Sequence, residues 1–244
     1  VSPDGKRAAI SVRQAVMEGD LSEYRTHIHL SSTDGKQKKQ LTQGDKSCED
    51  PQWSPDGKWI AFVSNRIGKK NLWLIDPDGG ESVQLTAWKS DISSFKWSPD
   101  SRSIAFTALD PSSPDDELRT RQKNDARVVD ENVKLNRLAV VSVTDQPQLG
   151  DDIRILTAGT LSVIAESSRS GKAAFDWSPD AKTIVFAHVR SPSPDDWPTA
   201  DLSFVDVATG EVKTLASTSA AESSPLYSPD GKSIAFTASD DPPK

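Results

Sequence analysis

Apolar residues along this chain come in short runs, not in long periodic stretches. Ala8-Ala9-Ile10, Ile60-Ala61-Phe62, Ile104-Ala105-Phe106, Ile184-Val185-Phe186 and Ile234-Ala235-Phe236 are each apolar at consecutive positions. Strands of that kind are covered on both faces, whereas alternation marks a strand with one wet face. A polar segment of one pattern precedes every run: Ser2-Pro3-Asp4-Gly5-Lys6, Ser54-Pro55-Asp56-Gly57-Lys58, Ser98-Pro99-Asp100-Ser101-Arg102, Ser178-Pro179-Asp180-Ala181-Lys182 and Ser228-Pro229-Asp230-Gly231-Lys232. Trp53, Trp97, Trp177 and Tyr227 stand before four of these copies. Pro presets the first central position of a type I turn, Asp suits the second, and Gly accepts a left-handed residue after it. The pattern predicts five tight hairpins. Ser101 and Ala181 replace the Gly, at a cost of about 1 kcal/mol each if the left-handed conformation is kept.

Around each hairpin the remaining apolar segments complete a unit of four strands. In the second unit these are expected at 51–54, 59–64, 71–75 and 82–86, with Asp76-Pro77-Asp78-Gly79-Gly80 as the last turn. In the fourth they fall at 173–178, 183–189, 201–207 and 212–215. The outer strands end alike, in Leu41-Thr42, Leu85-Thr86 and Leu156-Thr157, and helix signals are weak throughout. Small sheets that repeat along the chain and are buried on both faces fit the stacked blades of a β-propeller. The expected fold is all-β: four-stranded antiparallel blades in an incomplete ring, with about four and a half blades present. Blade boundaries are placed at 1–46, 47–90, 91–160, 161–220 and, in part, 221–244. The chain opens directly on a turn, without a start methionine or signal peptide, as an internal piece of a longer chain would. Uncovered blade faces at the ends would favour self-association.

The motif serines lie 52, 44, 80 and 50 residues apart. The third interval therefore carries roughly thirty residues beyond an ordinary blade. They form an insertion at 110–135, between the second and third strands of its blade, with an acidic start and a mixed-charge second half. Loops of that length in a compact domain tend to be functional or disordered. Arg121, Asp125, Arg127, Asp130 and Glu131 are the candidates for substrate gating or an interface contact.

Composition narrows the function. Apolar residues make up 35% of the chain and charged residues 27%, as in a folded domain with a modest core. A net charge of -7 argues against nucleic acid, whose phosphates need a cationic surface. Apolar runs such as Leu72 to Ile75 are far too short to cross a bilayer as helices, so no membrane partner is expected. Cys48 is the only cysteine, which excludes an intrachain disulfide. His27 and His29 alternate on one strand face without a third ligand, and the turn at Asp76–Glu81 lacks the distal Glu of a calcium loop. No metal and no cofactor are called for. Acidic stretches at Asp115-Asp116-Glu117 and Asp195-Asp196 read as solvated loops, with peptide N-terminus binding as the sharper alternative. A nucleophile elbow, Gly-x-Ser-x-Gly, is absent, and none of the three His stands in a triad context.

Pro51-Gln52-Trp53-Ser54-Pro55-Asp56-Gly57-Lys58-Trp59-Ile60-Ala61-Phe62, followed by Leu72-Trp73-Leu74-Ile75, resembles blades of two families. One is the propeller of prolyl oligopeptidase family serine peptidases, in the acylaminoacyl-peptidase and dipeptidyl-peptidase branches. The other is the TolB-like periplasmic propellers, which act as protein-interaction modules. Asn124-Asp125-Ala126-Arg127-Val128-Val129-Asp130-Glu131, running into Asn136-Arg137-Leu138, is similar to a charged segment of acylaminoacyl-type peptidases, with Asn124-Asp125 where that segment has paired acids. The peptidase resemblance implies a non-catalytic cap over a separate α/β-hydrolase domain that carries the catalytic triad. The implied partners are that hydrolase domain and short peptide substrates. It leaves the compartment open between cytoplasm, the favoured one, and periplasm.

Overall fold

The computed structural model describes residues 1–18, 21–122, 133–150, 152–164, 174–190, 196 and 199–239. Nearly all of its regular structure is antiparallel strand. The first sheet has the order β1(Arg7–Glu18)-β2(Leu21–Ser32)-β3(Lys38–Gln40). The second is β4(Cys48–Trp53)-β5(Ile60–Ser64)-β6(Asn71–Ile75)-β7(Val83–Gln84), a four-stranded blade in chain order. The third is β8(Ile92–Trp97)-β9(Ser103–Leu109)-β10(Asn136–Ser142)-β11(Arg154–Ile155), again in order. In the fourth sheet β12(Ser162–Val163) and β13(Phe175–Trp177) both pair with β14(Thr183–Val189), which is followed by β15(Asp201–Asp206) and β16(Val212–Ala216). A two-stranded sheet, β17(Glu222–Tyr227) and β18(Ile234–Ala238), comes last.

The Ser-Pro-Asp turn explains itself in hydrogen bonds. In all five copies the Ser hydroxyl donates to the Asp Oδ1 at 2.6–2.7 Å. The same Asp oxygen accepts the backbone N–H two residues on, from Lys6, Lys58, Arg102, Lys182 and Lys232. The Ser oxygen meanwhile accepts the N–H five residues on, at the start of the next strand. Two side chains thus replace the backbone partners that the bend removes. Ser101 (φ 62°) and Ala181 (φ 58°) do keep the left-handed conformation. Ser101 has a compensating contact, since its Oγ accepts the Asp56 N–H of the preceding hairpin at 2.9 Å. A sixth copy joins β2 to β3 at Ser32-Thr33-Asp34-Gly35-Lys36, with Ser32 Oγ 2.5 Å from Asp34 Oδ1. This copy has Thr33 where the other five have Pro.

The Leu-Thr endings are equally local. Leu41, Leu85 and Leu156 donate their N–H to the carbonyls of Ile28, Leu72 and Leu138. The following Thr hydroxyls accept the N–H of those same three residues, at 2.9, 3.0 and 2.9 Å. Each Thr closes an outer strand onto its neighbour.

Several elements depart from expectation. β1 and β2 each run for twelve residues as one long ribbon, β1 extending well past the apolar run Ala8-Ala9-Ile10. β4 starts earlier than position 51 because a bulge carries it through Asp50 (φ 53°) and Pro51. β17 bulges in the same register at Ser224 (φ 52°) and Pro225. On the fourth blade that position parts the innermost strand in two. Ile164 N–H donates to Ala187 O and Ala187 N–H donates to Ala174 O, so the strand is left after Ile164 and rejoined at Ala174. The piece at β12 was not anticipated, and residues 165–173 lie outside the described set.

Two compact units divide the chain. One comprises Val1–Ile92, Lys96–Ile104 and Val141–Ile153, and the other Ser93–Phe95, Ala105–Val140 and Arg154–Lys244, so the third blade contributes to both. In the first, β4 packs on β1 and β2 around Ile28, Cys48, Ile60, Phe62 and Trp73. In the second, β17 packs on β13 and β14, and the core gathers Leu138, Phe175, Trp177, Ile184, Phe186 and Val205. Every residue of β5 and β6 is buried, as consecutive apolar runs require.

Candidate functional site

The insertion leaves the third blade after β9 and returns at β10, and its two ends are tied together. Asp110 N–H donates to Leu135 O at 2.8 Å, and Leu135 N–H reaches Asp110 Oδ2 at 3.3 Å. Arg137, the second residue of β10, grips the Asp110 carboxylate with two nitrogens, Nε to Oδ1 at 2.8 Å and Nη2 to Oδ2 at 3.1 Å. Its remaining nitrogen, Nη1, donates to the carbonyls of Thr157, Gly159 and Leu161 at 3.1, 2.9 and 3.4 Å. The Arg137 side chain is only 13% exposed. A planar guanidinium with five donors suits this, since one fork takes a carboxylate while the other end satisfies carbonyls. Asn136 beside it donates Nδ2–H to Val163 O at 2.9 Å, and its backbone N–H bonds Ser162 Oγ. The neck is therefore a closed, polar and largely buried joint.

Beyond the neck the chain forms a helix, α1(Pro114–Arg121), where a loop was expected. Ser113 caps it: Asp116 N–H donates to Ser113 Oγ at 3.1 Å and Ser113 N–H donates to Asp116 Oδ2 at 3.0 Å. This is a reciprocal capping box with Pro at the first helical position. Asp115 and Asp116 lie at the positive end of the helix dipole, and Arg119 and Arg121 in its last turn. The Ser113 backbone and hydroxyl, with Lys134 nearby, hold the Asp116 carboxyl below the usual range. Lys134 Nζ donates to Ser112 Oγ at 2.6 Å and lies 3.6 Å from Asp116, fastening the start of the helix. Arg121 is exposed. Asp125, Arg127, Asp130 and Glu131 lie outside the described residues, so of the five candidates only Arg121 has a place in the structure. Asp110 and Arg137 were not among the candidates. The available signal was an acid and a base bounding a long excursion.

The histidines carry no catalytic geometry. His188 Nε2 lies 2.8 Å from Ser203 Oγ across β14 and β15. Asp201 faces His188 in the strand register, so Ser, His and Asp do come together. Ser203 is only 2% exposed and His188 8%, however, so a peptide carbonyl has no route to that hydroxyl. Burial holds the imidazole pKa below its ordinary value, against the pull of Asp201. His27 is buried, and its pKa is lowered by burial and by Arg66. Arg66 lies over the Phe62 and Trp73 rings and places Nη2 3.1 Å from Cys48 Sγ, which packs the lone thiol out of reach of solvent. Among the described residues no group of three His, Cys, Asp or Glu is placed to hold a metal ion.

Residues 2–136 match the family described as the dipeptidyl peptidase IV (DPP IV) N-terminal region, which is more than half of the chain. The chain belongs to that family. This region is the propeller of prolyl oligopeptidase-type serine peptidases, in agreement with the resemblance read from the blade motif. Peptidase YuxL of Bacillus subtilis is 40% identical over 67 residues, which span 28% of this chain and 10% of YuxL. The acylaminoacyl peptidase of Pyrococcus horikoshii superposes on 98% of the chain with a TM-score of 0.64 at 18% identity. The chain spans about a third (34%) of that structure. A structure from Agrobacterium tumefaciens described as TolB covers 98% of the chain, with a TM-score of 0.58, 20% identity and 68% of its own length matched. At such identities the two structures support the fold alone. They place the sheets of this DPP IV N-terminal region chain among propeller blades.

Proposed function

We propose that this chain is the non-catalytic propeller of an oligopeptide-cleaving serine peptidase, capping a hydrolase domain and restricting which peptides reach it. Membership of the DPP IV N-terminal region family carries the reading. The insertion is the contact element: its neck is clamped by Arg137 while its helix is fastened mainly at the N-terminal end. A rigid base with a charged outer segment suits docking against the hydrolase domain or a neighbouring subunit. The candidates Arg121, Asp125, Arg127, Asp130 and Glu131 belong to that outer segment, and short peptides are the substrates that such a cap admits.

The test is made in the full-length protein. Replacing residues 111–134 with a short Gly-Ser turn, while keeping Asp110, Leu135 and Arg137, should preserve folding and alter the ratio of kcat/KM between short and long peptides, or the assembly state. An unchanged ratio and an unchanged assembly state would remove the insertion from the site. The isolated chain should take no label from a fluorophosphonate probe, because a Ser without an accessible base is a poor nucleophile.

A further inference from the structure

The first three hairpins sit in one compact unit and repeat the same turn, yet their junctions differ. The residue five positions after the motif Ser is Arg7 in the first hairpin and Trp59 in the second, and each donates its N–H to that Ser. At the first junction Arg7 lies 5.0 Å from the centroid of the Trp53 ring and pairs with Asp78 at 3.0 Å. Lys39 Nζ also donates to Asp78 O, at 2.5 Å. Two of the protein's own cations, Arg7 and Lys39, are engaged at that junction.

The second junction is built differently. Trp59 takes the place of Arg7, and the turn after β10 brings Asp145 to Lys58 at 3.0 Å. A cleft of about 690 Å³ opens there, lined among others by Asp56, Lys58, Trp59, Arg102, Val143 and Asp145. That volume falls within the range of small-molecule sites, on the order of 300–1,000 Å³. Its frame is held from three sides. Ser101 Oγ accepts Asp56 N–H at 2.9 Å, Arg102 N–H donates to Asp100 Oδ1 at 3.0 Å, and Arg102 O accepts Val143 N–H at 2.8 Å.

Charge decides what the cleft takes. Lys58 is compensated by Asp145 and, at 3.8 Å, by Asp56. The Arg102 guanidinium has no hydrogen-bond or ion-pair partner among the described residues, although its backbone is fixed on both sides. Three carboxylates nearby disfavour a dianion but leave one cation open to a single negative charge. The half-buried Trp59 lines the same cleft and offers an indole surface. We infer that this cleft binds the C-terminal end of a short peptide, with its carboxylate on Arg102 and its last apolar side chain against Trp59. A guanidinium takes a carboxylate bidentately, and an indole supplies apolar area beside it. The choice of a peptide over another apolar monocarboxylate rests on the peptidase reading.

Binding is measured in the full-length protein by calorimetry and by fluorine NMR of fluorotryptophan-labelled material, with the Trp59 signal assigned from Trp59→Phe. The ligands are the tripeptide Ala-Ala-Phe, its C-terminal amide, and hydrocinnamate. The free acid should move the Trp59 resonance and bind about tenfold or more tighter than the amide, the scale expected for a charged hydrogen-bonded pair. Arg102→Gln should abolish the preference for the free acid, and Arg102→Lys should restore part of it. Equal binding of acid and amide, or a preference unchanged in Arg102→Gln, would overturn the site. Hydrocinnamate binding as tightly as the tripeptide would overturn the peptide assignment. The readout is occupancy at Trp59 and not cleavage. A failure here is therefore separable from a failure of the capping role, which is read by deletion of the insertion.

Discussion

β5 and β18 both begin Ile-Ala-Phe, one residue after the same Ser-Pro-Asp-Gly-Lys turn, and have opposite fates. All five residues of β5 are buried and Phe62 is 0% exposed, whereas β18 is mostly exposed and Phe236 is 45% exposed. The two hairpins have the same internal hydrogen bonds. What differs is the surroundings: β5 lies between β4 and β6 in a four-stranded sheet, while among the described residues β18 pairs only with β17. The motif therefore encodes the bend and the pairing, while burial comes from neighbouring strands and sheets. Full burial of a Phe is worth about 1.5–3 kcal/mol relative to exposure, so most of the energetic difference between the two Ile-Ala-Phe segments lies outside them.

Truncating each Phe tests that division most strongly. Phe62→Ala should destabilise this chain by about 3–5 kcal/mol and Phe236→Ala by about 1 kcal/mol or less, measured by urea unfolding. Equal losses would mean that β18 is packed as tightly as β5. The turn serines should differ less. Ser178 is 6% exposed, and its hydroxyl both donates to Asp180 and accepts from Thr183 N–H. Ser178→Ala should cost about 1–2 kcal/mol, and Ser228→Ala, in the more open last hairpin, about half of that.

A pH series separates a buried group from the exposed turns. The folded pKa of His188 lies below its ordinary 6.5, so the unfolded chain takes up a proton that the folded one refuses. Its contribution is present in full above pH 6.5 and is lost as the pH falls from there through the folded pKa. His188→Gln should reduce the change in urea midpoint between neutral and mildly acidic pH, leaving the part that His27 and His29, lowered in the same direction, contribute. The turn carboxyls Asp4, Asp180 and Asp230, lowered first by their Ser hydroxyls, should act only on further acidification, around and below their ordinary 3.8. A variant with the pH profile of the parent would show that His188 is not what titrates.

The smallest effects concern the left-handed residues. Ala181→Gly relieves about 1 kcal/mol of backbone strain but adds a comparable entropy cost in the unfolded chain, so it should be nearly neutral. Ser101→Gly also loses the bond from Asp56 N–H, and should be the more destabilising of the two by about 1 kcal/mol. The reverse order would mean that the turn-to-turn bond contributes nothing.

The parts legible in the sequence are those whose hydrogen bonds close within a few residues. Each Ser-Pro-Asp turn satisfies itself across five positions, so it could be read five times over. The sixth, at Ser32, uses the same Ser and Asp chemistry, but Thr33 in the place of Pro hides it from the Ser-Pro-Asp pattern. Helix α1 was legible in principle from Ser113-Pro114-Asp115-Asp116, but its apolar content is too low for periodicity to reveal it. β12 could not be read at all: two residues pair with His188 and Val189 some twenty-six positions away, and nothing in Ser162-Val163 announces that partner. Arg137 is intermediate. The residue lay in plain view, yet its grip on Asp110 spans twenty-seven positions, and only the folded strands bring the two together.

The neck at Asp110, Leu135 and Arg137 also bears on how such a chain can change over generations. Because the excursion leaves and re-enters the blade at two bonded points, β9 and β10 keep their places whatever lies between them. Lengthening the segment adds little closure entropy, about 0.6 kcal/mol for each doubling. Residues 111–134 can then gain, lose or exchange sequence without shifting the register of the sheet. The joint works as a graft point, through which one scaffold can acquire a different outer surface while its blades stay the same.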